Sequence, residues 1–291
     1  MKQSALTSEH ESILVMKELI GAYEEIAANN MRRVRNTVVK KRDFLSEITV
    51  VYNEVKNSYK KELEHLKKKK KIKSENTLSL IPRNGRNAAI LLSANTGLYG
   101  QIIEQTFRTF LDSLRQEKAD PIIIGLVGKR LFEEARPGVN FQYFDLPDTS
   151  VTQDAVRQIV LAVVPYEKAV VFHGKFENVV SQIPEAFSLT YEAPEAENDK
   201  KVQERYFFEP TLEEIIVYFE KEIFAAIFEQ TVHESELAKY ASRMVTLDRA
   251  TENIKEKLKK INALGHVLTH ETASKKQLDS LSGMSLWRTN L

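Results

Sequence analysis

The chain has 291 residues, with 42 Lys and Arg against 41 Asp and Glu, a formal net charge of +1 and no cysteine. That length fits one or two domains; the charge balance gives no general case for nucleic-acid binding, and the absence of thiols excludes disulfides, thiolate catalysis and thiolate metal sites. No apolar run approaches the roughly 20 residues that a membrane span needs, and the stretch at residues 13–16 is too short for a signal peptide and is followed by charge.

All eight prolines lie between Pro82 and Pro210, so the first 81 and last 81 residues contain none. Proline ends or kinks helices, and each end is therefore free to form one long helix. The first arm, from about residue 9 to 71, carries a seam of Ile13, Met16, Ile20, Tyr23, Ala27, Asn30, Val34, Thr37, Lys41, Phe44, Ile48, Val51 and Val55. This alternation of three and four predicts a coiled coil. About 60 helical residues would span about 90 Å.

Between the arms, from residue 77 to 209, the pattern changes. Residues 88–92 form a short apolar run, expected to be a buried strand. Gly97 and Gly100 follow, and an amphipathic helix is predicted over residues 101–118. Pro121 opens a second strand, residues 122–127, ended by Gly128. Residues 141–144 form a third, closed by Pro147. Residues 152–164 read as a helix with Thr152 as N-cap and Asp154 in its first turn. Residues 169–173 are a fourth strand. Residues 187–192 and 205–208 are further strand candidates, joined by a polar loop at 193–201. Strands alternating with helices imply an α/β layer with a largely parallel sheet.

The second arm begins after Pro210. Its seam reads Ile216, Phe219, Ile223, Ala226, Gln230, His233, Leu237, Tyr240, Met244, Leu247, Thr251, Ile254, Leu258, Ile261 and Leu268. Two such arms most simply pair antiparallel. The expected fold is thus a long antiparallel coiled coil of the terminal helices with an inserted α/β, Rossmann-like domain, divided as residues 1–76, 77–209 and 210–291. Asn30, Thr37, Lys41, Gln230, His233 and Thr251 interrupt the seams with polar side chains, which fix register at some cost in stability.

Local chemistry is sparse. Residues 93–100, Ser-Ala-Asn-Thr-Gly-Leu-Tyr-Gly, sit between a strand and a helix, where a glycine turn can offer backbone N–H groups to a phosphate. They lack a P-loop ending and the three-glycine dinucleotide fingerprint, so a tight structural turn is the better reading. His266 and His270 stand four apart with Glu271 adjacent, and exposed helix surface outweighs a metal site there. Lys67 to Lys71, extended by Lys73, form a basic block, more simply a solvated helix end than a contact for acidic groups. No catalytic grouping stands out and no cofactor or metal is expected.

Several segments resemble the gamma subunit of F-type ATP synthases, the central rotor shaft. The most specific is residues 242–256, with Arg243, Met244, Leu247, Ala250, Thr251 and Asn253 at the family's spacings. Residues 208–214, Phe-Glu-Pro-Thr-Leu-Glu-Glu, are similar to the family's entry into its long C-terminal helix. Residues 26–33, ending in Met31, Arg32 and Arg33, resemble its N-terminal stretch of small residues followed by basic ones, and the Gly97-Leu98-Tyr99-Gly100 turn resembles its glycine-leucine-cysteine-glycine turn. The motifs occur in family order and span nearly the whole chain. The departures are Gly21, Tyr23 and Asn30 in the first motif, Tyr99 in the turn, and Thr269, His270, Ala273 and Ser274 where the family has an arginine-glutamine pair and then isoleucine-threonine. The pattern resumes at residues 278–283.

The resemblance implies a divergent, non-catalytic rotor subunit that couples ion-driven rotation to ATP synthesis or hydrolysis. Its implied partners are a ring of alpha and beta subunits, the small epsilon subunit and the membrane rotor ring. ATP chemistry would belong to the beta subunits. Partner contacts are expected at Met31, Arg32, Arg33, Arg243, Met244, Asn253, Leu278, Leu281 and Trp287. The implied place is peripheral, on the cytoplasmic face of the cell membrane, or on an organelle inner membrane in a eukaryote. Two other readings stay open: the shaft of a purely hydrolytic F-type-like ATPase, and a free-standing coiled-coil adaptor whose α/β domain binds a ligand.

Overall fold

A computed structural model describes residues 2–70, 83–148, 151–189 and 212–288. The elements in chain order are α1 (Lys2–Lys70), β1 (Asn87–Leu92), α2 (Ile102–Gln116), β2 (Asp120–Ile124), α3 (Leu126–Ala135), β3 (Gln142–Phe144), α4 (Gln153–Val163), β4 (Lys168–Phe176), β5 (Gln182–Ser188) and α5 (Leu212–Arg288). The chain forms two compact units, one of residues 1–27 with 244–291, the other of residues 28–243.

In the larger unit, five strands form one sheet in the order β3-β2-β1-β4-β5. β1 pairs in parallel with β2 and β4, and β2 with β3, whereas β4 and β5 are antiparallel. The central strands are apolar on both faces because both are covered. One face holds Ala89, Leu91, Ile123 and Phe172 against Phe107 and Phe110 of α2 and Phe132 of α3. The other holds Ile90, Leu92, Ile122, Ile124 and Val171 against Val156, Ile159, Val160 and Val163 of α4. The same core takes in Ile223, Ile227, Phe228 and Val232 of α5 and Tyr52 of α1. A segment of α5 thus occupies a helical layer of the α/β unit. Residues 235–242 are buried all round, which explains why small residues (Ser235, Ala238, Ala241, Ser242) alternate with large ones there.

Within this unit α1 and α5 run antiparallel. Lys41 reaches Glu229, and Tyr52 packs against Phe219 with ring centroids 6.5 Å apart. The smaller unit repeats the arrangement. Ile13, Ile254 and Ile261 are buried together with Leu6, Ile20 and Leu258 packed against them, and Lys257 lies 3.3 Å from Glu9.

Four sequence-based expectations are corrected. The second strand stops at Ile124 and gives way to a turn at Gly125 and the unforeseen helix α3, because Gly125 adopts φ +97° and breaks the extended run. The fifth strand, β5, runs from Gln182 to Ser188, so it starts five residues before the expected run and shares only residues 187 and 188 with it, while residues 190–192 lie outside the described residues. A turn over residues 177–181, in which the Asn178 side chain accepts from the amides of Val180 and Ser181, sets its start. Pro184 is tolerated because β5 is an edge strand. The α1 seam uses Val38, partly buried Leu45, and Tyr52, while Phe44 and Val51 are exposed and Thr37 is half-buried. The inward row therefore advances by four then three from Val34, not by three then four. Met16 and Tyr23 are likewise exposed, because a two-helix pair buries only a narrow stripe. The strand expected at 205–208 and the loop at 193–201 lie outside the described residues.

The remaining elements follow the expectations closely. Thr152 caps α4 by accepting from the Ala155 amide, with Asp154 in the first turn.

Candidate functional site

The densest polar assembly of the larger unit lies at the carboxyl end of β1. The chain leaves β1 through α2 toward β2 and β3, then returns through α4 to β4 on the opposite side. That reversal of strand order is the place where doubly wound sheets hold ligands, and residues 93–100 form its rim.

The crevice is filled by the chain's own side chains. Asp148, which lies beyond the end of β3, receives the Asn95 amide at 3.1 and 3.0 Å from its two oxygens. The Thr96 amide and the Thr96 hydroxyl each donate to its Oδ2 at 2.8 Å. Asn95 in turn donates to the Asp145 carboxylate and, at 3.2 Å, to the Leu146 carbonyl, and accepts from the Leu126 amide at 2.8 Å. One asparagine therefore ties together the turn after β1, the loop after β3 and the start of α3.

Helix α5 closes the crevice from the other side. Lys239 Nζ donates to the Ser93 carbonyl at 3.1 Å and stands 3.7 Å from Asp148 Oδ1. Tyr240 donates to the Asp148 carbonyl at 3.0 Å. Arg243 donates to the Gly97 carbonyl at 2.9 Å and lies over the Tyr99 ring at 3.9 Å. Tyr99 and Tyr240 meet edge to face, with centroids 6.2 Å apart. Burial pushes the Lys239 ammonium below its usual range, opposed by the Asp148 and Glu236 carboxylates. Burial likewise raises both phenols, Tyr240 far more than Tyr99. The amides of Asn95 and Thr96 are thus committed to Asp148, and these bonds make the turn a structural joint.

A second assembly links α1 to α5. Lys41 Nζ donates to Glu229 Oε2 at 2.8 Å. His233 Nδ1 lies 2.9 Å from Glu236 Oε2, and its Nε2 lies 3.8 Å from Glu229 Oε1. Burial pushes the His233 imidazole down, but the two carboxylates outweigh it and raise the pKa to about 9. Glu229 is held down to about 2, first by the neighbouring His233 imidazolium, then by Lys41 against an opposing cost of burial. Two of the polar interruptions in the seams, Lys41 and His233, thus share Glu229. His173 is different: buried on β4, with Nδ1 3.1 Å from the Gly174 carbonyl, it is pushed down by burial.

The residues expected to meet partners fall into separate places. Met31 packs partly buried against Val34, Val38, Tyr99 and Tyr240, and Arg243 is engaged with the turn. Arg32 and Arg33 are exposed on α1. Met244 is half-buried and Asn253 exposed in the smaller unit, where Leu278 and Leu281 are 65% and 60% exposed. Trp287 lies on α5, with its side chain outside the described residues. His266, His270 and Glu271 are exposed, and among the described residues no three His, Asp or Glu side chains gather as a metal site. Lys67 to Lys70 end α1, whereas Lys71 and Lys73 fall outside the described residues. Asp148, Lys239 and Tyr240 escaped the sequence reading as a group. The available signal was a lysine inside a run of small and apolar residues, 235–242, where a charge needs a partner.

Residues 3–265 match the family model described as ATP synthase. The chain is 21% identical over 264 residues to a protein named ATP synthase gamma chain from Ruthia magnifica, covering 87% of this chain and 88% of that one. It is 22% identical over 291 residues to a protein of the same name from Bdellovibrio bacteriovorus, covering 94% of each. Among solved structures it is similar to a chain of the Tetrahymena thermophila mitochondrial ATP synthase central stalk and c-ring, with a TM-score of 0.56, 17% identity, and coverage of 80% of this chain and 99% of that one. A chain of the Euglena gracilis mitochondrial ATP synthase gives a TM-score of 0.54 at 12% identity, covering 90% and 96%.

Proposed function

Because the chain belongs to the ATP synthase gamma family, the central stalk of F-type ATP synthases, we propose that it turns inside a ring of alpha and beta subunits and passes torque between that ring and a membrane rotor. The observation that supports this most is the pairing of α1 and α5 around an inserted α/β layer, in a chain whose family match runs from residue 3 to 265. The subunit is non-catalytic, and ATP would be bound and cleaved on the beta subunits. Torque coupling needs the shaft to make different contacts with each beta subunit in turn, so that rotation biases their nucleotide states.

The division of labour follows the two long helices. Residues 1–76 and 210–291 form the shaft, and residues 77–209 the inserted domain, which would sit with the epsilon subunit and the membrane rotor. The side chains of Arg32, Arg33, Asn253, Leu278 and Leu281 are exposed and would meet neighbouring subunits; Trp287 joins them on the family's pattern, with Met31, Arg243 and Met244 supporting the surfaces from within. No helix among the described residues is long and apolar enough to cross a membrane. The subunit is a peripheral part of a membrane complex, placed on the cytoplasmic face of the cell membrane or the corresponding face of an organelle inner membrane. Both solved neighbours belong to assemblies described with a c-ring, which supports the rotor partner.

Native pull-down of the tagged chain is the direct test. Two larger ATPase chains in a ring, a small epsilon-type subunit and a membrane rotor component are expected together. Recovery of the chain alone or with unrelated partners would point to a free-standing adaptor. A ring that hydrolyses ATP without an ion-conducting membrane part would mark a purely hydrolytic machine.

A further inference from the structure

We infer that Asp148 is a built-in anion, its carboxylate occupying the anion seat of the switch-point crevice and thereby keying helix α5 to the α/β sheet. Two consecutive backbone amides, Asn95 and Thr96, converge with the Thr96 hydroxyl on this one carboxylate at 2.8 to 3.1 Å. Consecutive amides in a turn after a central strand are the donor set that doubly wound sheets present to an anionic ligand. Here the fourth partner is the ammonium of Lys239, 3.7 Å away and brought by α5 from 91 positions downstream. The anion is therefore not free to leave and is not exchanged for a nucleotide.

The arrangement is reciprocal. Without the carboxylate, the buried ammonium would keep the Ser93 carbonyl and, at 5.8 Å, the Tyr99 ring, but no ion-pair partner within 4 Å among the described residues, and a buried charge without such a partner is strongly unfavourable. Without the ammonium, Asp148 would still keep both amides and the hydroxyl. Asp148 also offers its own carbonyl to Tyr240, so one residue holds the turn and two successive positions of α5. The face of α5 that enters the crevice is fixed by these bonds as well as by packing.

The seat predicts a specific rescue. In the full chain, Asp148→Ala is expected to lower the melting temperature by about 5–10 °C, and formate, small enough to enter the vacated space, to restore part of that loss. Pivalate at equal concentration and ionic strength, too bulky for the space, should restore none, and neither salt should shift the wild-type chain to the same degree. If Asp148→Ala melts like the wild type, or if formate lifts both proteins equally, the inference is overturned. Should Asp148→Ala not fold, the isosteric Asp148→Asn and Lys239→Met variants decide. The inference requires Asp148→Asn to melt lower than Lys239→Met, and adding Lys239→Met to Asp148→Asn to raise its melting temperature. A fully stable Asp148→Asn protein would show that shape alone suffices. These readouts concern the chain by itself, and their failure would leave the rotary reading untouched.

Discussion

At the residue scale, Gly125, Gly97, His233 and Glu229 carry sharp expectations. Gly125 has φ +97°, and a Cβ placed on it would lie 2.8 Å from the Ala94 amide nitrogen and 2.9 Å from its carbonyl oxygen. Neither the conformation nor the space suits another residue. Gly125→Ala is therefore expected to cost about 2–4 kcal/mol, read by urea denaturation. Gly97, in the neighbouring turn, has nothing within 4 Å of its virtual Cβ, and Gly97→Ala should stay within about 0.5 kcal/mol. Equal losses at the two sites would refute the assignment of Gly125 to the strand-to-helix turn. His233 supplies a pH dependence of known sign. Its folded pKa, about 9, lies above the ordinary imidazole value of 6.5. Its contribution is thus fully present below about pH 6.5 and is lost as pH rises through 9. At most about 3 kcal/mol is involved, and His233→Gln should flatten the stability profile across that window. Glu229 works at the other end: held down to about 2, its contribution is present above its ordinary value and is lost as pH falls through 2.

At the scale of elements, the antiparallel pairing of α1 and α5 is set by complementary polar positions as much as by apolar ones. Lys41 with Glu229 and Tyr52 with Glu220 fix the register in the larger unit, where the hydroxyl of Tyr52 donates at 3.3 Å. In the smaller unit, Leu6 Cδ2 lies 3.6 Å from the virtual Cβ of Gly265. Because the chain has no cysteine, paired cysteines at these two positions give a clean test. A short bismaleimide should bridge Leu6→Cys and Gly265→Cys within one chain at high yield, whereas Leu6→Cys and Leu247→Cys should not crosslink. Equal yields would mean that the pair slides. The sheet shows the same interplay of sequence and surroundings. Alternation of strands and helices was readable because apolar runs bounded by Gly and Pro are short and local. The helix α3 was hidden because Leu126 and Val127 continue the apolar run of β2 without a change in composition.

At the scale of the whole molecule, the end of α5 separates the needs of the subunit from those of its assembly. Leu278 and Leu281 are largely exposed, so they contribute little to folding of the chain itself. Deleting residues 277–291 is expected to change the melting temperature of the isolated subunit by no more than about 2 °C. On the proposed function, the same deletion should reduce the torque of ATP-driven rotation in the reconstituted complex before rotation is lost, because the rest of the shaft would still contact the ring. A destabilised subunit that rotates with full torque would reverse this assignment. The exposed apolar side chains of the smaller unit, Leu14, Val15, Met16, Leu19, Tyr23 and Ile26 on α1 among them, fit a surface that other subunits cover.

The long terminal helices, the inserted α/β layer and the family were all legible in the order of the residues, because proline placement, heptad spacing and short motifs are properties of neighbours along the chain. Thr152 as a cap and Lys41 and His233 as polar seam positions were legible for the same reason. Which flank of the seam turns inward was settled only by the fold, since the choice between Thr37 and Val38, or Phe44 and Leu45, depends on what α5 and the sheet present to α1. The filling of the turn at residues 93–100 from within was likewise beyond the reach of local pattern. Asp148 and Lys239 stand 91 positions apart in the sequence and 3.7 Å apart in space, and a buried charge reveals its partner only once the fold has brought the two together.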